Sequence, residues 1–319
     1  MNLLLDSSVI GYQAHYSLGK LSHGDIATGV VFGFLSRVLH LGQTFRTNQL
    51  VFCWDSSHSF RSRRFPWYKA KRRVHPPEEQ ESIHILYRQL ALLRRTILPQ
   101  IGFVNQILQE GCEADDVLAK IAQDPEGEWI IVTSDEDMFQ CLAPNVRIYN
   151  ANKKQMMTLQ RLMSDYQVTP QQWLEAKSIA GCSSDNVPGV PGIGMKTAIK
   201  YLLGKLKPTT QSYQAITAAM TEGLIMNVNL PLVQIPLSRT EKPKLAPNEF
   251  NVDNFTEVCE LYGLESFLKP EKMAEWISLF QGHLTGPIPA GYNTRRPPRR
   301  HRAENKSNTD REPGLLYGL

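Results

Sequence analysis

The sequence contains few cysteines, and none is spaced like a zinc ligand or part of a disulfide framework. Its 319 residues include five cysteines and no Cys-x-x-Cys pair. Disulfide scaffolds are dense in cysteine, whereas scattered thiols in a long chain are typical of a reducing compartment. We therefore expect a cytoplasmic protein with free thiols.

Long apolar runs and one-sided charge are also missing. No apolar stretch approaches the ~20 residues of a membrane-spanning helix. The first residues, MNLLLDSSVI, have no basic region and are interrupted by Asp6, so we expect neither a signal peptide nor a membrane partner. The net charge is +4, and 42% of the residues are hydrophobic, enough to form one large domain or two.

Acidic residues in the stretch 111–137 are the most distinctive feature that is present. GCEADD is followed by the apolar run WIIVT and then by SDED. The five carboxylates expected to face one place are Glu113, Asp115, Asp116, Asp135 and Asp137. The apolar run predicts a buried strand, and ADDVLAKIA predicts the first turns of a helix. Ligands of open α/β sheets bind beyond the carboxyl ends of the strands, where SDED would lie.

Two other apolar runs also end in aspartate. NLLLD predicts a strand that ends at Asp6, and LVFCWD predicts one that ends at Asp55. Further strands are predicted at 102–107 and 146–150, and helices at 26–41 and 83–98. Strands that alternate with helices predict an α/β fold with a mostly parallel central sheet. Its shared polarity would bring Asp6, Asp55, Asp135 and Asp137 to one edge.

These acids have two readings. Asp and Ser after a strand are ordinary helix caps, and acids are favoured in a first helical turn. If the carboxylates gather at one edge of the sheet, however, they repel one another: two unit charges ~4 Å apart repel by about 4 kcal/mol at an effective dielectric of 20. The second reading is that cations neutralise the group, and clustered oxygen ligands with few His or Cys suit Mg²⁺ or Mn²⁺.

A strongly basic segment, 58–77, follows Asp55. HSFRSRRFPWYKAKRRVHPP contains seven Arg and Lys residues, no acid, and four interleaved aromatic residues. Basic residues mixed with aromatic ones suit a nucleic-acid backbone and stacked bases. A solvated surface loop is the other reading.

The second half of the chain is predicted to be helical. PGVPGIGMKTA forms a tight glycine- and proline-rich turn, after which Lys196 and Thr197 open a helix. Backbone N–H groups at a helix start can hold a phosphate, although glycine turns between helices are common. The residues from 286 onward are basic and rich in Pro and Asn, which predicts a disordered tail.

Together these motifs resemble the 5′-nuclease family, which includes flap endonucleases, phage RNase H-type 5′ exonucleases and the 5′ nuclease domain of bacterial DNA polymerase I. LLLDSS, FCWD, FRSRRFPWYKAKR, GCEADDVLA, VTSDEDMFQ and SSDNVPGVPGIGMKTA occur in the family's order. The resemblance implies helices on both faces of the sheet, as in PIN and resolvase-like domains, and a helical arch. The implied domains are a catalytic domain at 1–160 with the arch at 58–77, a helical DNA-binding subdomain at 161–285 with a helix–three-turn–helix motif at 179–198, and the tail at 286–319.

The resemblance also implies site residues and cofactors. The carboxylates that would bind two Mg²⁺ ions, with Mn²⁺ as a substitute, are Asp6, Asp55, Glu113, Asp115, Asp116, Asp135, Asp137 and Asp185. The residues expected to be catalytic are Lys69 and Arg72, which match the family's YKxxR and would contact the scissile phosphate, with Asp115 and Asp135. The residues expected to bind DNA are Arg61, Tyr68, Lys69, Arg72, Gly192, Gly194, Lys196 and Thr197, beside a K⁺ ion held by turn carbonyls.

The expected function is that of a monomeric, Mg²⁺-dependent phosphodiesterase in a bacterial or phage-infected cell. It would cut DNA, or an RNA–DNA primer, near a 5′ flap, a nick or a free 5′ end, by a two-metal mechanism of replication and repair nucleases.

One position departs from the family: Cys182 stands in GCSSDN where Asp is usual, which weakens the second metal site. Cys182 favours an alternative, a catalytically weak homologue that binds branched DNA. A PIN-type ribonuclease is the other alternative, against which the basic segment and the glycine turn argue.

Overall fold

The computed structural model describes residues 1–73 and 76–282. The predicted tail, 286–319, and residues 74 and 75 of the predicted arch lie outside the described residues. The strands are β1 (Asn2–Asp6), β2 (Ser22–His23), β3 (Ile26–Ala27), β4 (Leu50–Cys53), β5 (Gln106–Ile107), β6 (Trp129–Val132), β7 (Val146–Asn150) and β8 (Gln155–Met157). The α-helices are α1 (Ser7–Leu18), α2 (Gly29–Phe45), α3 (Phe60–Arg64), α4 (Pro77–Leu92), α5 (Leu98–Gln100), α6 (Ala114–Ala122), α7 (Leu159–Tyr166), α8 (Pro170–Ala180), α9 (Met195–Leu202), α10 (Gln211–Thr221), α11 (Leu230–Val233), α12 (Val252–Leu261), α13 (Glu265–Leu268) and α14 (Pro270–Phe280).

The main sheet has six strands in the order β5-β4-β1-β6-β7-β8. The neighbours from β5 to β7 are all parallel, which confirms the predicted mostly parallel sheet, and β1 lies between β4 and β6. β8 pairs with β7 in the antiparallel direction, and β2 and β3 form a separate hairpin; neither was predicted. The third predicted strand, 102–107, is reduced to Gln106–Ile107.

Helices cover both faces of the sheet, as predicted. In β1, Leu3 and Leu5 pack in a core formed with α1, α2, α4 and the C-terminal helices, while Leu4 packs on the opposite side against α6, α7 and α8. A parallel sheet buried on both faces needs apolar residues at every strand position, which explains the continuous runs NLLL and WIIV.

Helices α8 to α10 form a small cluster of their own beside the sheet. Ile179 of α8, Ala198 of α9 and Ile216 of α10 are buried together there. Thr169 caps α8 in a reciprocal pair with Gln172, a strong start signal for a helix. Within the described residues no single helix is long and apolar enough to span a membrane; only α10 with Leu224–Val233, bent by 63°, meets that test of length and composition.

The helices after residue 250 pack on the sheet domain, which corrects the predicted helical unit at 161–285. Phe255, Phe267, Trp276 and Phe280 all belong to the core that contains β1 and α2. The chain therefore covers the sheet with α7 and the first turn of α8, forms the cluster of α8 to α10, and then returns to the sheet domain. The predicted domain at 1–160 is thus completed by residues near the end of the described chain.

In its described part, 58–73, the basic segment packs against the body of the protein, and the predicted helical arch at 58–77 stays a prediction. The described part consists of the five-residue helix α3, a turn, and a 3₁₀ turn at Ala70–Arg73. Phe65 and Tyr68 are buried against Leu174, Val187 and Leu232. Apolar anchors within the segment thus dock it on the surface formed by α8 and α11, where its basic side chains reach the carboxylates described next.

Candidate metal centre and nucleic-acid interface

Three adjacent parallel strands deliver the first carboxylates. Asp6 is the last residue of β1 and caps α1: its Oδ1 accepts a hydrogen bond from Val9 N at 3.1 Å, and its Oδ2 accepts one from Thr133 Oγ1 at 3.0 Å. Asp55 follows β4, and Asp135 follows β6, where it caps the 3₁₀ turn Glu136–Cys141. The structure therefore brings these strand-end aspartates to one edge of the sheet.

Burial and mutual repulsion shift the proton affinity of this group. Burial, and then the charge of Asp55, raises the pKa of Asp6 to about 7. Burial, and then Asp6 and Asp135, raises the pKa of Asp115 well above its usual range. The charge of Lys69 lowers the pKa of Asp115, but it does not outweigh burial and the neighbouring carboxylates.

The group fits a divalent metal ion in its chemistry. Asp115 Oδ1 is buried and has no hydrogen-bond partner in the part of the chain that the structure describes, although buried polar atoms are normally paired. Hard carboxylate oxygens are the ligands that Mg²⁺ and Mn²⁺ prefer. Within residues 1–73 and 76–282, however, no three His, Cys, Asp or Glu side chains are already arranged to hold a metal. Side-chain rotation would have to complete the site.

Glu113 joins this group to the basic segment. It lies at the N-cap of α6, and its Oε2 accepts hydrogen bonds from Lys69 Nζ at 2.9 Å and from Tyr68 Oη at 3.1 Å. The Lys69 backbone N–H donates to Asp185 O at 2.9 Å, and the residue has φ +52°, which is uncommon outside glycine. Lys69 is thus held at both its main chain and its ammonium group.

A second group of acids is already paired with cations. Asp137 forms an ion pair with Lys177 of α8, and Asp185 forms one with Arg72. Burial lowers the pKa of Lys177, but the charge and hydrogen bond of Asp137 and the charge of Asp135 together outweigh it, so the net shift of the pKa is upward. Sequence reasoning did not select Lys177, and the only signal was its place five residues before Cys182.

Asp116 has protein partners in place of the metal ion predicted for it. It is fully buried and accepts hydrogen bonds from Arg61 Nη1 at 2.7 Å, Arg61 Nη2 at 2.8 Å, Leu237 N at 2.9 Å and Glu113 N at 3.1 Å. Arg61 also donates to Gln234 O at 2.6 Å. These contacts tie α3, α6 and the 234–237 segment together.

The predicted DNA contacts of Arg61 and Tyr68 need correction. Both side chains are only 3% exposed, so they have almost no surface for a phosphate or a base in this conformation. Exposed arginine, lysine and aromatic residues in the described part of the segment include Arg63, Arg64, Trp67, Lys71 and Arg72. A charge pattern marks the segment as basic, but burial decides which of its members can reach a ligand.

A cavity of about 590 Å³ lies beside the first carboxylates. Asp55, Lys69 and Arg72 line one part of it, and Tyr12 and Tyr87 line another. The two tyrosine hydroxyls are 2.7 Å apart. The cavity therefore presents aromatic, anionic and cationic groups to the same space.

The predicted helix–three-turn–helix lies between α8 and α9. Gly189 has φ +62°, and a Cβ atom there would lie 2.2 Å from Ala180 O, so this position of the turn requires glycine. Gly192, Gly194 and Lys196 are exposed, and Thr197 is half-buried. An exposed helix start with open glycines leaves backbone N–H groups accessible to a phosphate.

Comparison with known proteins identifies relatives of both the sequence and the fold. Residues 1–167 match the family model of the 5′-3′ exonuclease, N-terminal resolvase-like domain. The chain is 28% identical over 220 residues to a 5′-3′ exonuclease of Buchnera aphidicola subsp. Schizaphis graminum, covering 67% of this chain and 73% of that protein. It is 30% identical over 296 residues to DNA polymerase I of Bacillus caldotenax, covering 85% of this chain.

The chain spans only part of the polymerase relatives. The match covers 32% of the Bacillus caldotenax protein, and a 29% identical match covers 71% of this chain and 25% of DNA polymerase I of Mycobacterium tuberculosis.

Similar folds occur in solved nuclease structures. The zinc-bound 5′-exonuclease of bacteriophage T5 matches with a TM-score of 0.62 at 20% identity, covering 73% of this chain and 88% of that one. A T5 flap endonuclease in a complex with DNA and metal ions matches with a TM-score of 0.61 at 19% identity, covering 86% and 99%. Human GEN1 bound to Holliday junction DNA matches with a TM-score of 0.56 at 15% identity, covering 86% and 72%.

Proposed function

Since this chain belongs to the 5′-3′ exonuclease family, we propose that it hydrolyses phosphodiester bonds of DNA near 5′ ends. It would act as a 5′→3′ exonuclease and as a flap endonuclease, on a 5′ flap, a nick, a free 5′ end or an RNA–DNA primer. The observation that carries the proposal is the cluster of carboxylates at the sheet edge, where burial and mutual repulsion raise the pKa values of Asp6 and Asp115 beside the cavity lined by Asp55, Lys69 and Arg72.

The proposed activity depends on divalent cations. Asp6, Asp55, Glu113 and Asp115 would hold Mg²⁺, or Mn²⁺ in its place, because they supply oxygen ligands and one of them has a buried unpaired oxygen. A bound divalent cation would supply a water of lowered pKa and neutralise the charge that develops on the leaving oxygen. The family resemblance predicts two such ions.

Lys69 and Arg72 would hold the scissile phosphate. Lys69 Nζ already contacts Glu113 and Arg72 already contacts Asp185, so both cations lie next to the carboxylates. A phosphate placed there would accept hydrogen bonds from both groups as negative charge develops on its oxygens. Fixed donors of this kind stabilise a transition state without reorganisation.

The helix–three-turn–helix would bind the duplex part of the substrate. The exposed start of α9, with Gly192, Gly194, Lys196 and Thr197, offers backbone N–H groups and one ammonium group to a phosphate. A K⁺ ion held by turn carbonyls would complete this contact. All of the proposed site residues belong to a single protein chain, and we propose that the protein is a monomer.

Product mapping on a panel of substrates tests the proposal. Labelled 5′-flap DNA, nicked duplex, single-stranded DNA, an RNA–DNA hybrid and single-stranded RNA are incubated with Mg²⁺ or with EDTA. We expect cleavage at the flap junction and from 5′ ends, products with 5′-phosphates, no cleavage in EDTA, and none by Asp115→Asn. Cleavage of RNA alone would indicate a PIN-type ribonuclease instead.

The second candidate function is that of a weakly catalytic protein that binds branched DNA. Cys182 and the Lys177–Asp137 ion pair favour it, since both reduce the negative charge available to a second metal ion. Tight binding of flap DNA without cleavage in either Mg²⁺ or Mn²⁺ would support this candidate and overturn the nuclease proposal.

A further inference from the structure

We propose that the Lys177 ammonium group takes the place of a second divalent cation, so that the protein binds one metal ion, at Asp6, Asp55, Glu113 and Asp115. The inference rests on the proposed metal-dependent function and concerns the number of ions. It departs from the two-ion expectation because of residues particular to this chain.

The Lys177–Asp137 pair is held in a fixed position. Lys177 lies on α8, whose Trp173, Ala176 and Ile179 are buried, so the helix cannot move its lysine away without losing packing. The side chains of Lys177 and Asp137 are only 14% and 16% exposed. An ion pair with little solvent around it is screened far less than a surface pair, and it competes with any incoming cation.

Cys182 removes a ligand from the same place. Its thiol lies 3.0 Å from Ser184 Oγ, and its backbone pairs with Val187 in both directions. A thiol is a soft ligand that Mg²⁺ does not prefer. The second group therefore has lost an oxygen donor at Cys182 and has acquired a cation at Lys177.

The charge balance of the two groups differs accordingly. The first group sets four carboxylates, Asp6, Asp55, Glu113 and Asp115, against the ammonium group of Lys69 and against the Arg61 guanidinium, which lies 3.6 Å from Glu113 and is shared with a fifth carboxylate, Asp116. The second group sets Asp137 and Asp185 against two cations, Lys177 and Arg72. Asp135 lies between the two groups, and burial and then its charge still raise the pKa of Asp137. A divalent cation should therefore bind more tightly at the first group, where it relieves repulsion between carboxylates, than at the second group.

Mn²⁺ titration of the metal-free protein, without substrate, tests this by calorimetry and by the electron paramagnetic resonance signal of free Mn²⁺. We expect one tight ion per wild-type chain. Asp115→Asn should lower the affinity for that Mn²⁺ ion at least tenfold, whereas Asp137→Asn should leave the affinity within twofold of the wild-type value. The double variant Lys177→Met, Cys182→Asp should bind two ions. Lys272→Met, which removes an exposed ion-paired lysine of α14, is the matched control and should bind one.

Several outcomes would overturn the inference. Two ions of similar affinity in the wild type would do so while leaving the proposed nuclease function intact, and so would a loss of the tight ion in Asp137→Asn. A double variant that stays folded, as checked by its urea midpoint, yet binds a single ion would also contradict it. If the double variant unfolds, the Mn²⁺ affinities of Asp115→Asn and Asp137→Asn still test the inference. Absence of any bound ion in the wild type would overturn this inference and the metal-dependent function together.

Discussion

Asparagine substitutions at the adjacent residues Asp115 and Asp116 should have different effects on stability. In Asp116→Asn, the buried Arg61 guanidinium loses its nearest carboxylate and keeps only Glu113 Oε2 at 3.6 Å, and the acceptor of the hydrogen bonds at 2.7 and 2.8 Å loses its charge. Removing one partner of a buried ion pair costs about 3–5 kcal/mol. The Tm shift per kcal/mol falls with chain length and is about 1.5–2 °C for a chain of this size, so Tm should fall by roughly 5–10 °C.

The companion variant, Asp115→Asn, should not lose stability in EDTA. Asp115 Oδ1 has no partner among the described residues, and the charge of the residue is opposed by Asp6 and Asp135. Urea and thermal unfolding, followed by tryptophan fluorescence, measure both variants in the metal-free state.

Arg63→Met provides the control for the loss of an ion pair from the same segment. Arg63 pairs with Glu110 at 3.2 Å, but the two side chains are 54% and 70% exposed. Exposed ion pairs contribute about 0–1 kcal/mol to stability, so Arg63→Met should have nearly the same urea midpoint and Tm as the wild type. The reasoning is refuted if Asp116→Asn lies within about 1 kcal/mol of the wild type, or if Asp115→Asn falls as far as Asp116→Asn.

Three further predictions concern the nucleic-acid interface and pH. Lys69→Ala should lower the single-turnover cleavage rate about 100-fold with little change in the Kd for flap DNA, and Lys196→Ala should instead reduce the log–log salt slope of duplex binding by about 0.9. An unchanged rate or slope would remove the respective lysine from its role. Gly189→Ala should weaken duplex binding measured by anisotropy, because its Cβ would meet a backbone carbonyl, whereas Gly194→Ala, which has open space, should not; equal effects would contradict this. In EDTA, the free energy of unfolding should fall by up to about 1.4 kcal/mol per pH unit as pH rises from about 4 to about 7. In this pH range Asp6 keeps its proton in the folded protein but has lost it in the unfolded chain. A flat profile would contradict the buried carboxylate group.

The sheet and its edge could be predicted because each rests on local sequence. Four short apolar runs became β1, β4, β6 and β7, since apolar β-rich runs of this length bury well only as strands of a covered sheet. The parallel direction followed from the alternation with helices. Once the direction was known, the aspartates that follow these strands had to share an edge.

The contacts of individual charged side chains could not be predicted in the same way. Arg61 lies in a segment of exposed basic residues, yet it is buried because Asp116, 55 residues later, and Gln234 O, 173 residues later, supply acceptors for it. Lys177 meets Asp137 only because α8 packs against the 3₁₀ turn Glu136–Cys141. Composition fixes neither pairing, since both depend on how distant elements pack.

The placement of the last helices was missed for a related reason. The apolar periodicity of residues 252–280 predicts helices, but it does not reveal which surface their apolar faces cover. Phe255 and Trp276 could have packed against α8 to α10; they pack against the sheet domain, where Phe250 and Phe280 also lie. An amphipathic pattern identifies a buried face, while the identity of its partner is a tertiary property.

The return of the chain to the sheet domain limits how this protein can be divided for expression. The segment 249–251 forms backbone hydrogen bonds with Ile101 and Gly102, and the Phe280 ring meets Phe103 with centroids 5.0 Å apart. A recombinant fragment cut at residue 167, where the family match ends, would expose Phe103 and the surface of α2 to water. Such a product should aggregate, so a minimal folded unit needs the sequence up to about residue 282.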